Sequence, residues 1–192
     1  NMNVIGVMHG YEGLVNGEFR PMGARDVGGI LQRGGTVLLT SRSKRFMEQA
    51  GQRDAIRKMN EAGMDALIVI GGEGSMNGAN ALSKQGIKVI GIPGSIDNDI
   101  WGTNMSVGTD TALNTILDAI DKLRDTAASH ERCFLLEVMG RNCGWLTAAT
   151  AREYLRRLSD TPTAPGLGLT AERLAEAGAR RDPVLVDHPQ RT

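Results

Sequence analysis

The chain has 192 residues, and its 22 Lys and Arg balance 22 Asp and Glu to a formal net charge of zero. That length suits one α/β domain with a sizeable core, and without a basic field there is no general hold on nucleic acid or an anionic membrane. Aromatic residues, at 4%, leave few rings to stack bases, no apolar run approaches bilayer length, and no charged segment leading into an apolar one opens the chain, so a cytoplasmic protein is expected.

Short apolar runs alternate with longer stretches of helical period, the pattern of a parallel sheet built from βαβ units. The predicted strands are VIGVMH (4–9), TVLLTS (36–41), ALIVIG (66–71), KVIGIP (88–93) and CFLLEVM (133–139). Their nearly continuous hydrophobicity predicts burial on both faces. Between them, FMEQAGQRDAIRKMNEAG reads as a helix closed by Gly63, and SMNGANALSKQG as a shorter helix closed by Gly86. Residues 109–127 form the longest predicted helix. Leu113, Ile116, Leu117, Ile120 and Leu123 line its apolar face, Asp118, Asp121, Lys122 and Asp125 face solvent, and Thr109 or Asp110 caps its first turn. Cys133 and Cys143 lack C-x-x-C spacing and are read as reduced structural thiols.

Beyond about Thr150 the composition shifts to Ala, Arg and Gly, and four of the six prolines follow. We place a boundary near Ser159, giving a domain over 1–158 and an irregular tail over 159–192 with one helical patch at 170–178. The expected fold class is α/β, a three-layer parallel-sheet, Rossmann-like lobe with that tail appended.

Two stretches carry chemistry. In IVIGGEGSMNGANAL a buried strand runs through Gly-Gly-Glu-Gly-Ser into a helix, which exposes backbone N–H groups where missing Cβ atoms let a phosphate approach. The order is neither G-x-G-x-x-G nor a P-loop, so an ordinary tight turn also accounts for it. In GIPGSIDNDI two acids, Asp97 and Asp99, follow the apolar run that ends near Pro93. A solvated turn is the ordinary account of D-x-D. In an open parallel sheet, however, ligands gather beyond the carboxyl ends of strands, and Glu73, Asp97, Asp99 and the MGR of 139–141 all fall at such ends. Glycine amides and an arginine to hold charge, one carboxylate for Mg²⁺ and another to take a proton from a hydroxyl make an inventory for phosphoryl transfer.

GGEGS, PGSIDNDIWGT, DTALNTILDAIDKLRDTAASHER and EVMGRNCG, in this order and spacing, resemble the N-terminal lobe of the 6-phosphofructokinase family from about Val4 to about Thr150. The resemblance implies transfer from ATP to fructose 6-phosphate with Mg²⁺, in a homo-oligomer. It implies that Asp97 is the base on the 1-hydroxyl, supported by Asp99, and that Ser95 contacts the sugar or the transferred group. Met139, Gly140 and Arg141 match the sugar-phosphate turn, and Arg132 matches an arginine that reaches a neighbouring subunit's site. Arg42, Gly72, Gly74 and Ser75 match the nucleotide site, and Glu73 stands where the family usually has Asp for the metal. Gly74 and Gly94 match ATP-dependent members, whereas GRNCGWLTAATA looks somewhat like the pyrophosphate-dependent lineage, the alternative donor.

The resemblance also implies gaps. The family's first strand with its SGGD-like loop, and its second lobe, have no counterpart here, so the chain reads as an internal piece with a foreign or frame-altered terminus. It is expected to be catalytically poor alone, which leaves a non-catalytic nucleotide- or phosphate-binding fragment as an alternative. Lipid and NAD kinases use a similar glycine turn, but SIDND and MGR favour a sugar-phosphate acceptor.

Overall fold

The computed structural model describes residues 2–159. These residues belong to two compact units, Asn1–Ile70 with Gly74–Ile92, and Gly71–Glu73 with the chain from Pro93 onward. The proposed helical patch at 170–178 lies outside the described residues.

In the first unit, β1 (Val4–Val7) pairs antiparallel with β2 (Phe19–Met22) across the short helix α1 (Gly10–Asn16), in the register Val4↔Met22 to Val7↔Phe19. A 3₁₀ turn (Arg45–Met47) leads into α2 (Gln49–Glu61), and β3 (Leu67–Gly71), α3 (Glu73–Lys84) and β4 (Val89–Pro93) follow. β3 and β4 form a second two-stranded sheet. Leu67 N–H bonds Lys88 C=O at 2.9 Å and Gly94 N–H bonds Gly71 C=O at 2.9 Å, so the two strands advance in the same direction, as a βαβ unit requires.

Both predicted helix stops are present, and the geometry explains them. After α2, Met64 N–H reaches Met59 C=O and Gly63 N–H reaches Asn60 C=O, with Gly63 at φ 65°. After α3, Ile87 N–H reaches Leu82 C=O and Gly86 N–H reaches Ser83 C=O, with Gly86 at φ 90°. These are paired Schellman motifs, in which glycine takes the left-handed position that a Cβ would disfavour. Met64 and Ile87, the residues just beyond, pack on a core made of Leu14, Val15, Phe46, Ala55, Met59 and Leu82. Helix termination and core formation are thus one event here.

Two predicted strands do not form. Residues 36–41 make a turn, with Leu39 N–H on Thr36 C=O and Leu39 at φ 63°, and only Leu38 C=O bonds toward β1, at His9 N–H. Residues 133–139 have no regular structure, and Leu135 and Met139 are exposed. An apolar run becomes a strand only when a neighbour satisfies its backbone, and neither segment has a ladder partner among the described residues. Burial on both faces fails for a related reason. Leu67 and Val89 turn toward the core, but Ile68, Ile70 and Ile90 on the opposite face are 62–68% exposed.

The second unit holds α4 (Thr109–His130) and α5 (Trp145–Ser159), which pack against each other. Leu117 and Leu146 are buried at 3% and 1% exposure, and the helix face predicted for α4 is the one that turns inward. A groove of about 400 Å³ between them is lined by Asp110, Leu113, Leu117, Trp145 and Arg152, among others. The capping expectation needs correction. Gly108 occupies the cap position with no side-chain bond, and the Thr109 hydroxyl donates to Ser95 C=O at 3.0 Å.

Leu82 is fully buried at the centre of the first unit's core. Leu82→Ala is expected to lower unfolding free energy by about 2–5 kcal/mol, read from the urea midpoint, and a shift below about 0.5 kcal/mol would contradict its central place.

Candidate functional site

The second unit brings two strand ends together. Gly72 follows β3, Ser95 follows β4, and a Cβ built on Gly72 would sit 3.6 Å from the Ser95 Cβ and 3.7 Å from its Oγ. A side chain at Gly72 would therefore be in ordinary van der Waals contact with the serine that opens the carboxylate turn. Ser95 Oγ accepts the Asp97 N–H at 3.3 Å, a short side-chain turn that starts the reversal.

The loop from Pro93 to Thr109 folds back on itself. Val107 N–H bonds Pro93 C=O at 3.0 Å, the Thr109 hydroxyl bonds Ser95 C=O, and Thr103 N–H bonds Ile100 C=O at 3.2 Å. Asn98 sits at the far end at φ 51°, with its Oδ1 accepting Ser106 N–H at 2.9 Å and its Nδ2 donating to Asn104 C=O at 3.1 Å. Asp97 is half-buried and Asp99 exposed. Both carboxylates thus stand on a loop whose base and tip are tied by hydrogen bonds, and one of them is partly withdrawn from water. Ser106 Oγ is buried without a partner among the described residues.

Also in this unit, Gly140 is buried in a turn closed by Cys143 N–H on Gly140 C=O at 2.7 Å. A Cβ on Gly140 would overlap the Cys143 carbonyl oxygen, so glycine is the residue this turn admits. Arg141 follows at φ 53° and is exposed, as is Met139 at 73%. Arg132 is exposed just past α4, its N–H bonded to Ala127 C=O at 3.0 Å. Glu73 is exposed at the first position of α3, where the helix dipole favours an acid.

In the first unit, Gly74 is exposed and a Cβ placed there would meet nothing within 4 Å. The space beside it is open to a ligand. Ser75 is held from below: the Tyr11 hydroxyl donates to Ser75 C=O at 2.6 Å, and the Tyr11 ring stacks on Phe46 with centroids 4.0 Å apart and planes 7° from parallel. A Cβ on Gly78 would lie 2.5 Å from Tyr11 Cε2, so α3 rests its glycine directly on the ring. Burial raises the Tyr11 hydroxyl to about 12. Arg42 is exposed and makes no ion pair among the described residues.

Sequence reasoning missed three of these contributors. Tyr11 gave no signal because its partners, Phe46 and Ser75, are distant in sequence. Asn98 was passed over between two acids, although Asn flanked by turn residues is a recognisable left-handed candidate. Thr109 was read as a cap. Among the described residues no group of three or more His, Cys, Asp or Glu comes together. Glu73 would therefore serve Mg²⁺ as one of at most two carboxylates, with water and substrate phosphates completing the shell, which is how that ion is commonly held.

The fold and these loops define an α/β protein in which Gly72 and Glu73, and Ser95 with Asp97 and Asp99, follow the carboxyl ends of two parallel strands, whereas Arg42, Arg132 and Met139 to Arg141 lie on segments that are not strands. Residues 1–154 match the family model described as phosphofructokinase. The chain belongs to the phosphofructokinase family. It is 45% identical over 181 residues to ATP-dependent 6-phosphofructokinase 1 of Thermus thermophilus, covering 94% of this chain and 56% of that relative. It is 54% identical over 143 residues to ATP-dependent 6-phosphofructokinase of Clostridium botulinum, covering 74% of this chain and 45% of the relative. Pichia pastoris phosphofructokinase in the T-state superposes with a TM-score of 0.76 at 32% identity, over 94% of this chain and 21% of that one. The chain spans about half the length of the curated relatives it matches.

The raised Tyr11 value makes a pH prediction. A folded value of about 12 against the ordinary tyrosine value of 10.0 means that the tyrosine contributes stability fully below pH 10, which is lost as pH rises toward 12. Tyr11 and Tyr154 are the two tyrosines of the chain. In a Tyr154→Phe variant the phenolate absorbance should rise near pH 12, together with loss of helical signal. Ionisation near pH 10 in a chain that stays folded would contradict the buried hydroxyl.

Proposed function

We propose that this chain carries the phosphoryl-transfer half of an ATP-dependent 6-phosphofructokinase, acting on the 1-hydroxyl of fructose 6-phosphate. The observation that carries the reading is the tied loop that holds half-buried Asp97 and exposed Asp99 and opens at Ser95, the residue a side chain at Gly72 would touch. The names of the relatives, ATP-dependent 6-phosphofructokinases at 45% and 54% identity, support the donor and the acceptor.

On this reading Asp97 takes the proton from the 1-hydroxyl as that oxygen bonds the γ-phosphorus and the bond to the bridging oxygen of ADP breaks. Asp99 supports Asp97, and Ser95 contacts the sugar or the transferred group. Arg141, with Met139 and Gly140, holds the sugar phosphate and offsets its charge. Arg132 serves a neighbouring subunit's site, which makes the working form a homo-oligomer. Arg42, Gly72, Gly74 and Ser75 handle the nucleotide, where the open space at Gly74 favours ATP over pyrophosphate. Glu73 would hold Mg²⁺, which when bound neutralises phosphate charge. Residues 1–158 act as the lobe that does this work, 159–192 follow as a tail, and the cytoplasm is its compartment. Among the described residues no helix is long and apolar enough to cross a membrane.

A coupled assay with fructose 6-phosphate, Mg²⁺ and either ATP or pyrophosphate tests the proposal on the purified chain. Turnover with ATP should fall by about 10²-fold or more in Asp97→Asn, while the circular dichroism spectrum is retained. Full activity in that variant would remove Asp97 from the base role. Preference for pyrophosphate would overturn the donor, and silence of a folded wild-type chain with both donors would leave a binding fragment as the function.

A further inference from the structure

We propose that Asn98 is a positioning residue that sets the direction of the two carboxylates flanking it. The inference rests on the catalytic reading of Asp97 and Asp99, and it adds a third side chain that touches no substrate. Three observations converge on it. The residue stands at φ 51°, in the left-handed region where a side chain other than Asn, Asp or Gly is disfavoured. A residue there bends the backbone between Asp97 and Asp99, so its conformation decides where each acid points relative to the other. Its amide uses both ends across the loop, accepting from Ser106 N–H at 2.9 Å and donating to Asn104 C=O at 3.1 Å.

The two other loop closures, at Pro93 and Ser95, fasten the base. At the tip, the Asn98 amide is the side-chain tie to the returning segment among the described residues. Around it, Ile96 and Ile100 are half-buried, whereas Trp101 at 99% and Asp99 stand exposed, so the outer part of the arc depends on the amide tie. General-base catalysis depends on placement within hydrogen-bond reach, and an error near 1 Å can cost about 10²-fold in rate. Asn98 thus supplies rigidity where the acids need it.

The test separates backbone from side chain. Asn98→Gly adopts φ 51° without strain and removes only the two amide bonds, whereas Asn98→Asp retains an acceptor for Ser106 N–H and loses the donor to Asn104. In the wild-type chain, amide exchange by NMR should show Ser106 protected and the Asp97 and Asp99 amides as single sharp resonances. Asn98→Gly should lower Ser106 protection at least about tenfold and broaden both aspartate signals, and Asn98→Asp should restore protection of Ser106. Unchanged protection and unchanged aspartate resonances in Asn98→Gly would overturn the proposal. Where turnover is measurable, kcat should fall by about 10- to 100-fold in Asn98→Gly with KM for fructose 6-phosphate near wild type. An unchanged kcat alongside lost Ser106 protection would also overturn the positioning role. A silent wild-type chain would remove the catalytic reading, while the exchange data would still decide whether Asn98 fixes the turn.

Discussion

The parallel pairing of β3 with β4 is the constraint from which the candidate site follows. Because both strands run the same way, both end at the same edge, and the bond from Gly94 N–H to Gly71 C=O fastens those ends side by side. The glycine turn and the carboxylate turn are then neighbours by construction, with Gly72 against Ser95. An antiparallel pair would have placed the two turns at opposite ends. Each loop is tightened by small contacts of its own: the Ser95 hydroxyl on the Asp97 amide, the Thr109 hydroxyl on Ser95, and the Asn98 amide across the tip. None is strong alone, at about 0.5–1.5 kcal/mol each, but together they restrict a loop that would otherwise be free in water.

A different support lies beneath α3. The Tyr11 ring stacked on Phe46 forms a platform, Gly78 rests on it, and the Tyr11 hydroxyl takes the Ser75 carbonyl. The start of α3 is thereby fixed by a core contact and by a hydrogen bond, both from residues more than 25 positions away. With so few aromatic residues in the chain, two are spent on this one support.

The helices α2, α3 and α4 were legible in the sequence because their evidence is local, whereas the short α1 was passed over. The apolar spacing from Leu113 to Leu123 and the glycines at 63 and 86 each state a periodicity or a stop that the backbone must obey. Strands were less legible because a strand is a relation between segments. TVLLTS and CFLLEVM have strand composition yet lack partners, while the FRPM of β2 was passed over, with a proline tolerated because this sheet has only two strands. The same limit applies to the site. Asp97, Asp99, Glu73, Met139, Gly140 and Arg141 could be singled out from motifs. The roles of Tyr11, Asn98 and Thr109 arise from contacts between distant positions, which no window on the sequence reports. The outward isoleucines Ile68, Ile70 and Ile90 show the cost of reading hydrophobicity as burial: on a two-stranded sheet they leave apolar side chains and free edges open to association.

Trp101 gives the carboxylate loop an optical property. The chain has two tryptophans, and they differ in surroundings: Trp101 is 99% exposed two residues from Asp99, whereas Trp145 is half-buried along the groove between α4 and α5. An indole in water emits toward the red and is open to collisional quenchers, and a partly covered one emits further to the blue. The intrinsic emission of this protein therefore carries two separable signals, one of which reports, without any label, what happens around Asp97 and Asp99.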